Sequence, residues 1–238
     1  MMMYPYPHDA LQAVKSLAFQ RLPLNLVGNF KGLHFIEKIE PLKIGVDTVV
    51  FRAPRLQVCA TLRNPVYLYS RVLPETVRAS PQMINCTAME LRLTDFTFNG
   101  NLWFDRLEQR VQPERPIPTL LTVHKSVYSA TLKDISHHGA GLMLYVGDQP
   151  ELELLVNTPL DLRLELSPQT RLSLHGRVVC RKRVGTAILY LGVRIYPTQD
   201  QARWLENYIA RRKANILREL DQQAYQRMEP QQVKDLYF

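Results

Sequence analysis

Long apolar runs are missing from this sequence: no stretch approaches the roughly 18 apolar residues needed to span a bilayer. The leading segment, MMMYPYPHDALQAVKSL, has no basic region followed by a long apolar one, so no secretory signal is expected. A cytoplasmic protein without a membrane span is therefore expected. Cysteine is scarce too. Cys59, Cys86 and Cys180 are odd in number, far apart and without a C-x-x-C pair. That excludes a disulfide framework and a thiolate metal cluster, and leaves three small buried hydrophobes in a reducing compartment. There is no G-x-x-x-x-G-K-[ST] and no strand-linked G-x-G-x-x-G, so phosphate-cradling glycine loops are absent. There is also no G-x-S-x-G, and an enzyme is not expected. Acid is under-represented: 22 Asp and Glu stand against 30 Lys and Arg, a formal charge of +8. Such a balance favours anionic partners, whether nucleic acid, nucleotide, phospholipid or an acidic protein face.

What the sequence does have is β-forming rhythm. With 46% apolar and 22% charged residues, it can build a packed core. Residues 9–20 (DALQAVKSLAFQ) predict a short helix capped by Asp9, with Leu11, Val14 and Leu17 on one face. From Gly32 to Phe104 the runs GLHFIEKIE, DTVVFRA, PVYLYS, INCTAMELRLTDFTF and LWF are rich in β-branched and aromatic residues. Alternation places Met89, Leu91, Leu93 and Asp95 on one side of a strand. Residues 106–118 then break the pattern, with Pro113, Pro116 and Pro118 close together. They read as a linker, partly helical before Gln112 and extended after it. Strands resume with TLLTVHK, VYSATLKDIS, GAGLMLYV, PLDLRLELS, RLSLHGRVVCRKR and TAILYLGVRIY. Finally, Thr198-Gln199-Asp200-Gln201 has the capping-box form and opens a C-terminal helix. The expected fold is mainly β: two small antiparallel barrels and a C-terminal helix. Its domains are 1–105, with the short leading helix, a linker at 106–118, and 119–238.

The chemistry concentrates between Arg106 and Leu144. Asp134-Ile135-Ser136-His137-His138-Gly139 spells D-x-S-x-x-G at a strand end, and Ala130, Leu132, Asp134 and Ser136 share parity. Gly139 stands where a missing Cβ admits a close approach. The linker supplies Arg106, Arg110 and Arg115. A guanidinium forks onto phosphate and stacks on a purine, and a carboxylate accepts the paired donors of a guanine edge. The arginines could instead be solvated partners of Glu108 and Glu114. Adjacent His137 and His138 point apart on a turn, so no metal site is expected. Arg171, Arg177, Arg181, Lys182 and Arg183 form a basic stretch without acid, Arg177, Arg181 and Arg183 sharing parity. The cluster Arg211, Arg212 and Lys213 lies on the last helix.

These residues resemble the PilZ domain. That family carries R-x-x-x-R ahead of its barrel and then D-x-S-x-x-G on an early strand. The likeness extends through Gly139-Ala140-Gly141-Leu142 and Tyr190-Leu191-Gly192-Val193-Arg194-Ile195, covering roughly residues 106–220. The layout, with a β-rich half before the arginine linker, is similar to the two-domain YcgR-like proteins. The resemblance implies a cyclic di-GMP receptor that rearranges its domains to control motility, attachment or polysaccharide output. It further implies that Arg110, Arg115, Asp134, Ser136 and Gly139 hold the ligand, with Arg106, His138 and Gly141 as further candidates. The pattern departs from the family at Val111, which stands where an arginine four before Arg115 would be. Arg106 and Arg110 do make an R-x-x-x-R, but Arg115 directly precedes the extended segment entering the barrel. Expected partners are cyclic di-GMP and a protein effector of the flagellar, secretion or polysaccharide machinery. The alternatives are a degenerate PilZ module that binds no nucleotide, and a DNA-binding regulator.

Overall fold

The structure, a computed structural model, describes residues 9–53, 66–85, 88–100, 108–147, 154–167 and 170–232. The run LWF, Arg106, Cys59 and Cys86 lie outside the described residues. The chain divides into two compact units, Met1–Leu107 with Ile216–Phe238, and Glu108–Asn215. The latter part of the C-terminal helix thus groups with the first unit.

In the first unit, helix α1 (Ala10–Phe19) starts where the Asp9 carboxylate accepts the Leu11 N–H at 2.9 Å. It stops where Arg21 turns left-handed, at φ 52, and the Leu22 N–H reaches back to Leu17 O. Its apolar face buries Val14, Leu17 and Ala18. Six strands follow: β1 (Leu24–Phe30), β2 (Leu33–Ile44), β3 (Val49–Arg52), β4 (Val66–Tyr69), β5 (Thr76–Asn85) and β6 (Glu90–Asn99). They close into an antiparallel barrel in the order β1-β2-β3-β6-β5-β4. Closure removes the unpaired edges that a short sheet would expose. Phe51, Leu26, Leu68, Leu91 and Leu93 fill the interior, joined by Leu220 of the C-terminal helix. Met89 and Asp95 depart from the expected face. Both are exposed with positive φ, and β6 shifts register against β5 beside Thr94.

In the second unit the strands are β7 (Ile117–Val123), β8 (Ser126–Ile135), β9 (Gly139–Tyr145), β10 (Pro159–Ser167), β11 (Thr170–Val184) and β12 (Ile188–Tyr196). They close as β10-β11-β12-β9-β8-β7. Inward side chains alternate along each strand, with Leu121, Leu132, Leu142, Leu162, Leu174 and Leu191 at the centre. Helix α2 (Gln199–Gln232) opens with the expected box: Thr198 N–H donates to Gln201 Oε1 at 2.9 Å, and Gln201 N–H to Thr198 Oγ1 at 3.4 Å. Two antiparallel barrels and a C-terminal helix are therefore what the chain forms. Cys180 is exposed, against the expectation of a buried thiol, because β11 there runs beyond its pairing with β10.

Candidate functional site

The site begins with a bulge. Between Leu132 and Asp134 the pairing of β8 with β9 shifts by one residue, so that Leu132 opposes Leu142 and Asp134 opposes Gly141. The extra residue flips the alternation. Ile135 turns to the core and is fully buried, while Asp134 joins Gly141 on the face turned away from the interior. This corrects the shared parity of Ala130, Leu132 and Asp134: equal spacing in sequence does not survive a bulge.

Next to Asp134 runs the segment expected to be partly helical. Its described part is extended instead. Val111 N–H donates to Ile135 O at 2.9 Å, and Ile135 N–H donates to Val111 O at 3.0 Å. The Val111 side chain is 0% exposed. An apolar residue with both backbone groups satisfied anchors the segment against the barrel end. That anchor carries Arg110 to Asp134, where Nη1 and Oδ1 are 2.7 Å apart and both side chains are largely shielded. On the far side of Val111, the buried Arg212 donates from Nε to Gln112 O at 2.7 Å. Arg212, one of the basic cluster on the last helix, thus holds the segment in place. Tyr208 lies one helical turn before it and stacks on Trp204 at 5.6 Å. Burial raises the Tyr208 phenol above its usual range, Glu114 adding to the effect while Arg212 and Arg211 oppose it.

Ser136, His137 and His138 make the turn. Ser136 N–H donates to Gly139 O at 2.7 Å, and Ile195 N–H donates to His138 O at 3.0 Å. Glu108 faces this turn. Its Oε2 accepts the His138 N–H at 3.0 Å and its Oε1 meets His138 Nδ1. Burial raises the Glu108 pKa, but hydrogen bonds from the His138 side chain and backbone and from Ser136, with the nearby imidazole charge, outweigh it. The carboxyl is held below its ordinary value.

Two glycines keep the site open. A Cβ on Gly139 would lie 3.1 Å from Ser136 Oγ and 3.2 Å from an Arg110 guanidinium nitrogen. On Gly141 it would lie 2.7 Å from the Tyr190 hydroxyl and 2.8 Å from Asp134 Oδ1, closer than real Cβ contacts come. Gly141 is thus the more exacting position.

The structure brings together Arg110, Asp134, Ser136, His138, Gly139 and Gly141. Arg115 stands exposed and makes no hydrogen bond or ion pair among the described residues. Glu108, paired with His138 rather than with an arginine, and Tyr190 join the site without having been singled out. Lys133 Nζ sits 5.1 Å from the Tyr190 ring centroid. In the basic strand β11, a bulge between Val178 and Cys180 breaks the expected shared face. Arg177 opposes Arg194, while Arg181 opposes the buried Leu191.

No curated protein matches the chain in sequence. Among solved structures, the chain is similar to MrkH of K. pneumonia in complex with c-di-GMP, at 13% identity, covering 88% of this chain and 95% of that one, with a TM-score of 0.46. It is also similar to YcgR of Escherichia coli in complex with c-di-GMP, at 15% identity, covering 93% and 99%, with a TM-score of 0.46. The Bacillus subtilis inhibitor of motility, MotI, matches at 10% identity, covering 81% and 96%, with a TM-score of 0.42. The family model of the PilZ domain matches residues 104–211, which hold the second barrel, the segment before it and the first part of α2. Residues 104–211 thus match the PilZ domain, the family that the sequence motifs resemble.

Proposed function

We propose that this chain is a cyclic di-GMP receptor whose ligand seat is the rim of the second barrel. The observation that carries the reading is the Arg110–Asp134 pair, 2.7 Å apart beside Gly139 and Gly141, within a PilZ domain. The ligand is a symmetric pair of guanosine phosphates. Asp134 would accept the N–H pair of a guanine edge, and Ser136 would add a further hydrogen bond. Arg110 would turn its fork to a phosphate or stack on the purine. The glycines would let the base lie against bare backbone. No catalytic step is needed for this role, since its output is a change of contacts.

The segment before the barrel is the natural transmitter. Glu108, Arg110, Val111 and Gln112 each hold to a different part of the second unit, so a ligand that re-aims Arg110 alters the purchase of the whole segment. Binding would then bias one of two arrangements by the difference in ligand contacts between them. A change in motility, attachment or polysaccharide output, through a protein effector, is the family-level consequence.

Calorimetry with cyclic di-GMP tests the reading. Saturable binding by the wild type, weakened strongly by Arg110→Ala, is expected. A wild type that takes up no cyclic di-GMP would instead mark the chain as a PilZ module working through protein contacts alone.

A further inference from the structure

Glu108 has a place in the site that the receptor role does not require. Two donors converge on its carboxylate: the His138 backbone N–H at 3.0 Å and the His138 imidazole through Nδ1. A backbone amide and an imidazole aimed at one point recognise an anion of any kind, carboxylate or phosphate. Positive charge stands alongside. Arg110 and Ser136 both border the open side of Gly139, within 3.2 Å and 3.1 Å of the position its Cβ would take. The anion now in place belongs to the chain itself, 30 residues upstream of His138.

We propose that the His138 amide and imidazole form a phosphate subsite and that Glu108 is its built-in occupant, so a ligand phosphate gains these donors only by displacing Glu108. The two anions cannot share the donors, because like charges at that separation repel and each donor proton serves one acceptor at a time. Displacement also has a mechanical result. Glu108 is the outermost described anchor of the segment, ahead of Arg110 and Val111. Its release frees the segment from its upstream end while Val111 still holds the middle. Glu108 therefore sets both the affinity for the phosphate and the coupling of binding to the chain before the barrel. The ligand in this scheme rests on the receptor reading, whereas the subsite itself does not.

The experiment uses the full chain, isotopically labelled, and two probes. Inorganic pyrophosphate is titrated while the amide signals of Ser136 and His138 are followed by NMR, and cyclic di-GMP is titrated by calorimetry. Glu108→Gln keeps the shape and removes the charge. It is expected to tighten pyrophosphate binding at the His138 amide by about fivefold, the scale of a partly exposed charged contact. Glu108→Asp keeps the charge but falls one methylene short. It should tighten binding as well, and it serves where the Gln variant folds poorly. Pyrophosphate affinity at this turn unchanged or lowered in both variants overturns the proposal. Tighter pyrophosphate binding with no cyclic di-GMP uptake in any variant upholds the subsite and refutes the receptor reading. Cyclic di-GMP bound equally by all variants, with pyrophosphate indifferent to Glu108, does the reverse.

Discussion

The two barrels are drawn to one plan. Numbered within each unit, the strands close in the same order, first-second-third-sixth-fifth-fourth. Each second strand carries a bulge just before its end, at Pro41 to Lys43 in one and Leu132 to Asp134 in the other. A row of residues crosses four strands at that level. In the first barrel the row is Lys43, Val50, Arg92 and Met83. In the second it is Asp134, Gly141, Gly192 and Cys180. The backbone scheme is shared and the side chains are inverted: a cation becomes an acid, and valine and arginine become glycines. The plan makes a barrel, and only the stripped row offers a carboxylate beside bare backbone. Fold and site are thus separable properties of the same topology.

The most disruptive way to test that separation is to give the second row a residue of the first. Gly141→Val places a branched side chain against the Tyr190 hydroxyl and Asp134. We expect a loss of cyclic di-GMP affinity of about a hundredfold or more, and a destabilisation of about 2 kcal/mol from overpacking. Calorimetry and urea unfolding read these two effects. Next in size is the anchor of the segment before the second barrel. Val111→Ala removes a fully buried side chain and should weaken the docking of its segment by about 1–2 kcal/mol. Hydrogen exchange at the Val111 and Ile135 amides would rise about tenfold, while the first barrel's core amides keep their protection.

A smaller effect follows from protonation. The Glu108 pKa is lower in the folded chain than in the unfolded one. Its contribution to holding the turn is therefore complete above the unfolded carboxylate pKa. It is lost as pH falls through the depressed folded value. The His138 amide signal should move across that acidic window and stay still in Glu108→Gln. A signal indifferent to the substitution would dissociate Glu108 from the turn.

Much of this fold was legible in the sequence because alternation is a direct print of a half-buried strand. All six strands of the second barrel follow from it. Two in the first do not. β1 buries Leu26, Val27 and Gly28 in succession, which hides the period, and β5 carries Pro81 among its register shifts. The site was legible as letters but not as geometry. D-x-S-x-x-G marks the turn, yet the bulge that aims Asp134 away from the core has no signature of its own. Val111 reads as a gap in an arginine pattern. In three dimensions it is the apolar pin that delivers Arg110. Glu108 reads as a solvated partner for arginine, since nothing local reveals a contact made 30 residues downstream. Arg212 reads as surface charge because its helix position alone does not tell that Gln112 lies over it.

The central claim is that ligand recognition belongs to the stripped row and not to the barrel plan. The most direct test is calorimetry with cyclic di-GMP on two substitutions at equivalent places, Asp134→Ala and Lys43→Ala. The account predicts that Asp134→Ala abolishes binding and Lys43→Ala leaves it within about twofold of the wild type, as expected for an exposed side chain that belongs to the other barrel. Equal losses from both substitutions, or binding that survives without Asp134, would contradict it.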